Sequence, residues 1–324
     1  MTDRAQIGPL TDRNEAGAAV NRSACICASP KGRILVGQLL FAALVSGSLY
    51  ALVALGLNLV YGTLRLLNVA HGDLVMIGGY VAFALASEAG LSPLVSLFAA
   101  PALSAALGWV VYALLLRRLL ASAELARRLE ANSLILFYGV SVILQNVASL
   151  AFSSTARSYS YLSDIRHFAG VSATGNRLLA LGVATAVCVG VMLFLRFHLF
   201  GWSLMAVIER RDAAAVVGVN VERVQAVTIA AGFAIAGLAG ALVSMTEEIT
   251  PFMGFPFTIA AFVVVVLGGL GNISAGVATG YALGFVETFG VSLTSATNRS
   301  ILIYGLFVGA LLLRPRGLFS RAGA

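Results

Sequence analysis

Nine apolar stretches run through this chain, near residues 34–61, 66–87, 94–116, 132–153, 178–197, 225–245, 257–270, 273–291 and 300–313, with short polar links between them. An apolar run of roughly 18 or more residues is long enough to cross a bilayer as a helix. Inside lipid, every backbone N–H and C=O must find a partner within the protein, so only helices and closed barrels span. A barrel would need short strands of alternating polarity. The runs here are continuous, so the chain is expected to be all-α: a polytopic helical membrane bundle of about eight spans. Composition agrees, since 59% of the 324 residues are hydrophobic and 11% are charged, against roughly 25% charged in soluble proteins. The segments flanking Gly268–Gly271 and the last segment are short, which predicts broken or re-entrant glycine-rich pieces.

Arginine sets the orientation. Three places are rich in it: Arg117, Arg118, Arg127 and Arg128; then Arg210, Arg211 and Arg223; then Arg314, Arg316 and Arg321. The positive-inside rule puts these in the cytoplasm. The net charge of +7 is read the same way, and not as nucleic-acid binding. The opposite links are poorer in arginine and, in 154–176, of mixed charge. One is rich in Ser and Thr (154–176), and the other (246–256) carries Glu247 and Glu248 without a base. Parity makes Gly268–Ala275 a tight inner turn. It fails at the start of the chain, where two solutions stay open. Either Ser46-Gly47-Ser48 breaks the run 34–61 into a re-entrant pair, or the N-terminus lies outside despite Lys31 and Arg33. Residues 1–33 read as a disordered extension, and 34–320 as one transmembrane domain with a cytoplasmic loop at 198–224. Cys25, Cys27 and Cys188 have neither metal-ligand nor disulfide spacing.

The polar stretch from Gly201 to Asn220 interrupts the apolar pattern. Leu204, Val207, Ile208 and Ala215 form a partial apolar face, while Glu209, Arg210, Arg211 and Asp212 cluster within about one turn. Gly218 can take the left-handed conformation that ends a helix. The stretch reads either as a solvated linker or as a short amphipathic helix gripped from outside the membrane. A second group, Asn68, His71 and Asp73, opens the second span. Asn68 is placed to cap that helix, with Asp73 near its positive end. These residues either fix the inner helix end or touch a solute. Gly268, Gly269 and Gly271 form a third group. A phosphate loop would need a following lysine, and there is none. Gln145, Asn146 and Glu287 are polar residues inside spans. Gln145 and Asn146 are candidates to bridge helices, and Glu287, late in its span, is expected near the outer interface. No protease, hydrolase or nucleotide-binding motif accompanies these groups, so no catalytic set and no metal site is expected.

Several stretches together resemble the LivH-type permease of branched-chain amino acid ABC importers. They are Ser48–Gly62, Asn68–Asp73, Gly218–Asn220, Ala236–Gly240, Pro251–Gly254, Ala261-Phe262, Leu267–Gly271 and Arg314–Phe319, in that order. The resemblance covers about residues 38–320. It implies a multi-pass permease subunit of the bacterial inner membrane. Its partners would be a LivM-like second permease, two cytoplasmic ATPases, a periplasmic substrate-binding protein and membrane lipid, without nucleic acid. ATP and Mg would sit on the ATPases, leaving no cofactor in this chain. The loop 198–224 would be the family's coupling loop, with Glu209, Arg210, Arg211, Asp212 and Gly218 as the ATPase-coupling residues. Asn68, His71, Asp73, Gln145, Gly268, Gly269, Gly271 and Glu287 are the candidates for translocation or gating. The implied function is ATP-driven import of branched-chain amino acids, or related small polar solutes such as urea or amides, by alternating access. The alternative is an ion-coupled secondary transporter or channel that uses Asp73 or Glu287. Two positions depart from the family. An arginine is frequent where Met205 stands, and a lysine is frequent at Ala260, directly before the Ala-Phe pair.

Overall fold

In a computed structural model, the described residues are 30–121, 129–168 and 171–313. Arg127, Arg128, Arg314, Arg316, Arg321, Cys25, Cys27 and nearly all of the 1–33 extension lie outside them. All nine apolar runs are helical. Helix α1 spans Pro30–Leu64 and α2 spans His71–Phe83, which continues into a π-helical turn at Ala84–Glu88. Helix α3 (Ser96–Val111) leads through a second π turn, Tyr112–Leu116, into the short α4 (Arg117–Ala121). Next come α5 (Leu129–Phe152), α6 (Gly175–Phe197), α7 (Leu199–Glu209), α8 (Arg211–Val216) and α9 (Val221–Val243). The chain closes with α10 (Gly254–Gly268), α11 (Ile273–Leu293) and α12 (Arg299–Leu313). Five helical stretches are individually long and apolar enough to cross a membrane: Leu35–Leu64, Pro93–Leu120, Ser133–Phe152, Gly175–Phe197 and Val221–Val243. The chain is thus an all-α polytopic bundle. A two-stranded hairpin is its one departure among the described residues, with β1 (Ile165–Phe168) antiparallel to β2 (Val171–Thr174).

Helix α1 is unbroken through Ser46-Gly47-Ser48, which removes the re-entrant pair. The Ser48 hydroxyl donates to Val45 O at 2.8 Å, so its polarity is satisfied within the helix. Gly47 lies where α11 passes, against the Tyr281 backbone. The small residues serve packing and not a turn. An unbroken α1 places its two ends on opposite faces of the bundle.

Helices α1 and α9 form the centre. Helix α1 packs most extensively on α11, and α9 packs on α3, α2 and α1. These contacts are close because glycines remove the intervening side chains. A Cβ on Gly72 would run into the Gly254 carbonyl, and one on Gly240 into the Val75 carbonyl. Helices α3, α5 and α6 are peripheral and carry exposed apolar side chains such as Phe98, Ile135 and Leu150. Such a surface suits lipid or a second membrane subunit.

The face opposite α7 and α8 is closed by its own links. Arg157 and Ile249 exchange backbone hydrogen bonds of 2.9 and 2.8 Å. Tyr159 Oη pairs with Ser244 Oγ at 3.0 Å, and Asn176 Nδ2 donates to Met245 O at 2.7 Å. The Ser/Thr-rich link and the link with Glu247 and Glu248 therefore pack as one cap.

Candidate functional site

The loop 198–224 folds as two helices, not one. His198 caps α7 by accepting the Phe200 N–H on Nδ1 at 3.1 Å. Trp202 Nε1 ties the corner back to Arg196 O at 2.7 Å. At Arg210 the backbone turns extended (φ −149°, ψ 105°), separating α7 from α8. Glu209, Arg210, Arg211 and Asp212 therefore straddle a break instead of sharing one helical turn. All four are exposed, and none forms an ion pair among the described residues. Gly218 ends α8 at φ +88°. The Gly218 N–H bonds Ala215 O (3.1 Å) and the Val219 N–H bonds Ala214 O (3.0 Å). That double return is the Schellman closure, which requires the left-handed residue. Asn220 then caps α9, its Oδ1 accepting the Arg223 N–H at 3.0 Å. Val216 and Val217, 88% and 78% exposed, project from the end of α8. Met205 is exposed on α7.

The inner face of this loop engages the bundle. Leu204 and Val207 are buried. The Ile208 side chain lies between two glycines: a Cβ on Gly62 would approach Ile208 Cδ1 to 3.1 Å, and one on Gly271 would approach its Cγ2 to 3.7 Å. Gly62 is at the end of α1 and Gly271 is in the α10–α11 turn. One side chain of the loop thus touches both elements. Arg65, itself left-handed at φ 56°, extends its guanidinium to 3.5 Å from Ile208 O.

The glycine turn occupies residues 269–272, with Gly269 at φ +92° and Gly271 at φ +85°. Gly268 is the last residue of α10 and crosses closely against Gly276. The turn is held from α1 by Asn58, which is fully buried. Its Nδ2 donates to Asn272 O and its Oδ1 accepts the Gly271 N–H, both at 2.9 Å. Asn272 caps α11 through the Ala275 N–H at 3.2 Å. Asn58 was not among the residues singled out from sequence, although it lies in the Gly56–Gly62 stretch that carried the resemblance. A fully buried asparagine in an apolar helix is the signal that could have found it.

Asn68 does not cap α2. The N-cap position is Ala70, without a side-chain bond, and both Asn68 amide atoms are buried with no hydrogen-bond partner. The Asn68 backbone carbonyl meets the His71 N–H at 3.4 Å. His71 is fully buried, its Nε2 3.0 Å from Val53 O on α1. Gly72 N–H donates to Thr258 Oγ1 on α10 at 2.9 Å. Asp73 lies in the first turn of α2, where the helix dipole favours an acid. It accepts from Gln145 Nε2 at 3.0 Å. Gln145 therefore bridges α5 to α2, whereas Asn146 is exposed and bonds only Val142 O of its own helix. His71 and Asp73 thus pin the start of α2 to its neighbours.

Glu287 lies in the second half of α11, buried and paired. Arg299 at the start of α12 donates to its Oε1 and, through Nη2, to Tyr50 Oη at 2.9 Å. Arg299 escaped the sequence reading because a single arginine opening an apolar run looks like a span boundary. Among the described residues no group of three or more metal-binding side chains exists.

The comparisons can be set on this geometry. The family described as "Branched-chain amino acid transport system / permease component" matches residues 39–311. The chain belongs to this permease family. Among its relatives is the high-affinity branched-chain amino acid transport system permease protein BraD of Pseudomonas aeruginosa. It is 31% identical over 88% of this chain and 95% of its own length. LivH of Escherichia coli is 29% identical over the same shares. A probable LivH of Methanocaldococcus jannaschii is 29% identical over 87% and 91%. LivM of E. coli matches at 27% identity. No solved structure matches.

Proposed function

We propose that this permease carries branched-chain amino acids into a bacterial cell as the membrane subunit of an ATP-driven importer. It would work with a LivM-like permease, two cytoplasmic ATPases that hold ATP and Mg, and a periplasmic binding protein. The observation that carries the mechanism is Ile208, seated between Gly62 and Gly271. A movement of α7 and α8 reaches α1 and the α10–α11 turn through that contact, with no catalytic group needed here. The exposed Val216 and Val217 at the end of α8, with Arg210 and Arg211 at its start, offer an ATPase an apolar tip and a charged one on one short helix. Without the arginine frequent at Met205, the docking charge falls to Arg210 and Arg211. ATP binding and docking of the binding protein supply the differential affinity that shifts the bundle between inward- and outward-open states. Asn68, with its unpartnered buried amide, and the Asp73–Gln145 pair are the groups beside which such a shift exchanges hydrogen bonds.

The test is uptake in proteoliposomes holding the whole complex. Gly218→Val combined with Arg210→Glu and Arg211→Glu should leave membrane insertion intact and abolish ATP-coupled uptake. Normal coupled uptake by that variant would sink the coupling role. Uptake that persists without ATP and collapses with an uncoupler would support ion coupling through Asp73 or Glu287 instead.

A further inference from the structure

On the face opposite the coupling loop, a cavity of about 230 Å³ opens beside Arg299. For scale, an engineered cavity of about 150 Å³ binds a benzene-sized molecule. Its polar wall is Arg299, Glu247 and Tyr50, and its apolar wall is Met253, Phe257 and Ile303. The α10 and α12 helices and the cap link thus meet around one space.

The charges in the polar wall are incompletely used. Arg299 has five N–H donors in a planar fork. Nε serves Glu287 and Nη2 serves Tyr50, leaving the Nη1 donors without a partner among the described residues. Glu247 approaches Arg299 Nη2 only to 3.9 Å, beyond hydrogen-bond distance. Both side chains are about half exposed, at 43% and 46%. Such an exposed pair is held weakly. Glu287, at 6%, is the partner that neutralises Arg299. A purely structural Glu287–Arg299 pair has no use for a second carboxylate or for an apolar wall beside it. The wall instead presents the Arg299 Nη1 donors beside a carboxylate held only by a loose contact.

We propose that this cavity binds the zwitterion of a branched-chain α-amino acid, the carboxylate on Arg299 Nη1 and the ammonium on Glu247. The aliphatic side chain lies against Met253, Phe257 and Ile303. A bond from the ionised guanidinium N–H to a carboxylate is charge-assisted and roughly twice as strong as a neutral one. The ligand replaces the loose Arg299–Glu247 contact by two direct ones, with Glu247 swinging outward in its surface link. Urea and simple amides carry neither charge, so the site selects against them. The inference rests on the importer reading and adds to it a place where this subunit reads the solute on its outer face.

The experiment is equilibrium binding of radiolabelled L-leucine to the purified permease–ATPase complex without its binding protein. Wild type should bind saturably. Leucinamide, which lacks the carboxylate, 4-methylpentanoate, which lacks the ammonium, and urea should each compete poorly. Glu247→Gln should weaken binding about tenfold, the loss expected for one charge-assisted bond. Ser300→Trp, which fills the mouth from an exposed position of α12, should weaken it independently. Leucine binding at wild-type strength in both variants, or competition by either analogue as strong as that of unlabelled leucine, would overturn the proposal. ATP-driven leucine uptake by the wild-type complex is measured alongside. Uptake without any effect of Glu247→Gln or Ser300→Trp on binding refutes the cavity alone. Failure of the wild type to accumulate any branched-chain amino acid refutes the transport reading beneath it.

Discussion

Asn58→Leu replaces the clamp on the glycine turn by a side chain of nearly the same shape with no polar atom. Two bonds are lost: the one Asn58 donates to Asn272 O and the one it accepts from Gly271 N. Their consequences differ. The Asn272 carbonyl keeps a second partner, the Gly276 N–H at 2.9 Å. The Gly271 N–H has no other partner on this face, and its left-handed backbone prevents a helical bond from replacing the lost one. An orphaned donor costs roughly 1–3 kcal/mol and a lost neutral hydrogen bond about 1 kcal/mol. Gly271 is only partly buried, so water recovers some of this, and a net cost of about 1–3 kcal/mol is expected. The thermal midpoint of the purified complex should fall, and solute moved per ATP should fall with it, because the turn no longer follows α1. Asn146→Leu, at an exposed position bonded within its own helix, should change neither. An Asn58→Leu complex with wild-type midpoint and wild-type coupling would refute the assignment of Asn58 as the clamp.

Other outcomes follow from the same packing. Gly72→Ala and Gly240→Ala place a methyl against a neighbouring carbonyl and should abolish stable assembly, whereas Gly182→Ala and Gly190→Ala meet open space and should be neutral or stabilising by about 0.5–1 kcal/mol. Detergent thermal stability and expression level separate the two pairs. Gly218→Ala meets no atom within 4 Å, so its cost is conformational alone, roughly 1–2 kcal/mol at the end of α8. It should weaken coupling while leaving the midpoint of the bundle nearly unchanged, as read from uptake per ATP beside a melting curve. Gln145→Leu strips Asp73 of the Gln145 N–H and should slow uptake, whereas Gln145→Glu should slow it further by setting two carboxylates together.

The helices were legible in the sequence because a lipid solvent leaves the backbone no other choice, and all nine apolar runs became helical. What failed were inferences from polarity within a run. A break at Ser46-Gly47-Ser48 was one of the two solutions open at the start of the chain, yet its small residues admit α11, and a serine can satisfy itself on the preceding turn. Asn68 read as a cap, yet the chain enters α2 through Ala70. Glu209–Asp212 read as one turn, although local pattern does not reveal an extended residue at Arg210. The contacts that organise the site join distant segments: Asn58 to Gly271, Ile208 to Gly62, Gln145 to Asp73. Periodicity carries no information about such pairings. Gly218 was legible because its cap is local chemistry.

The central claim is that motion enters the bundle through Ile208. Its most direct test is the ratio of leucine accumulated to ATP hydrolysed in proteoliposomes carrying Ile208→Ala, which removes the atoms that meet Gly62 and Gly271 and leaves Arg210, Arg211 and Gly218 in place. The account predicts continued hydrolysis with a marked fall in the ratio. A wild-type ratio at wild-type hydrolysis would contradict it.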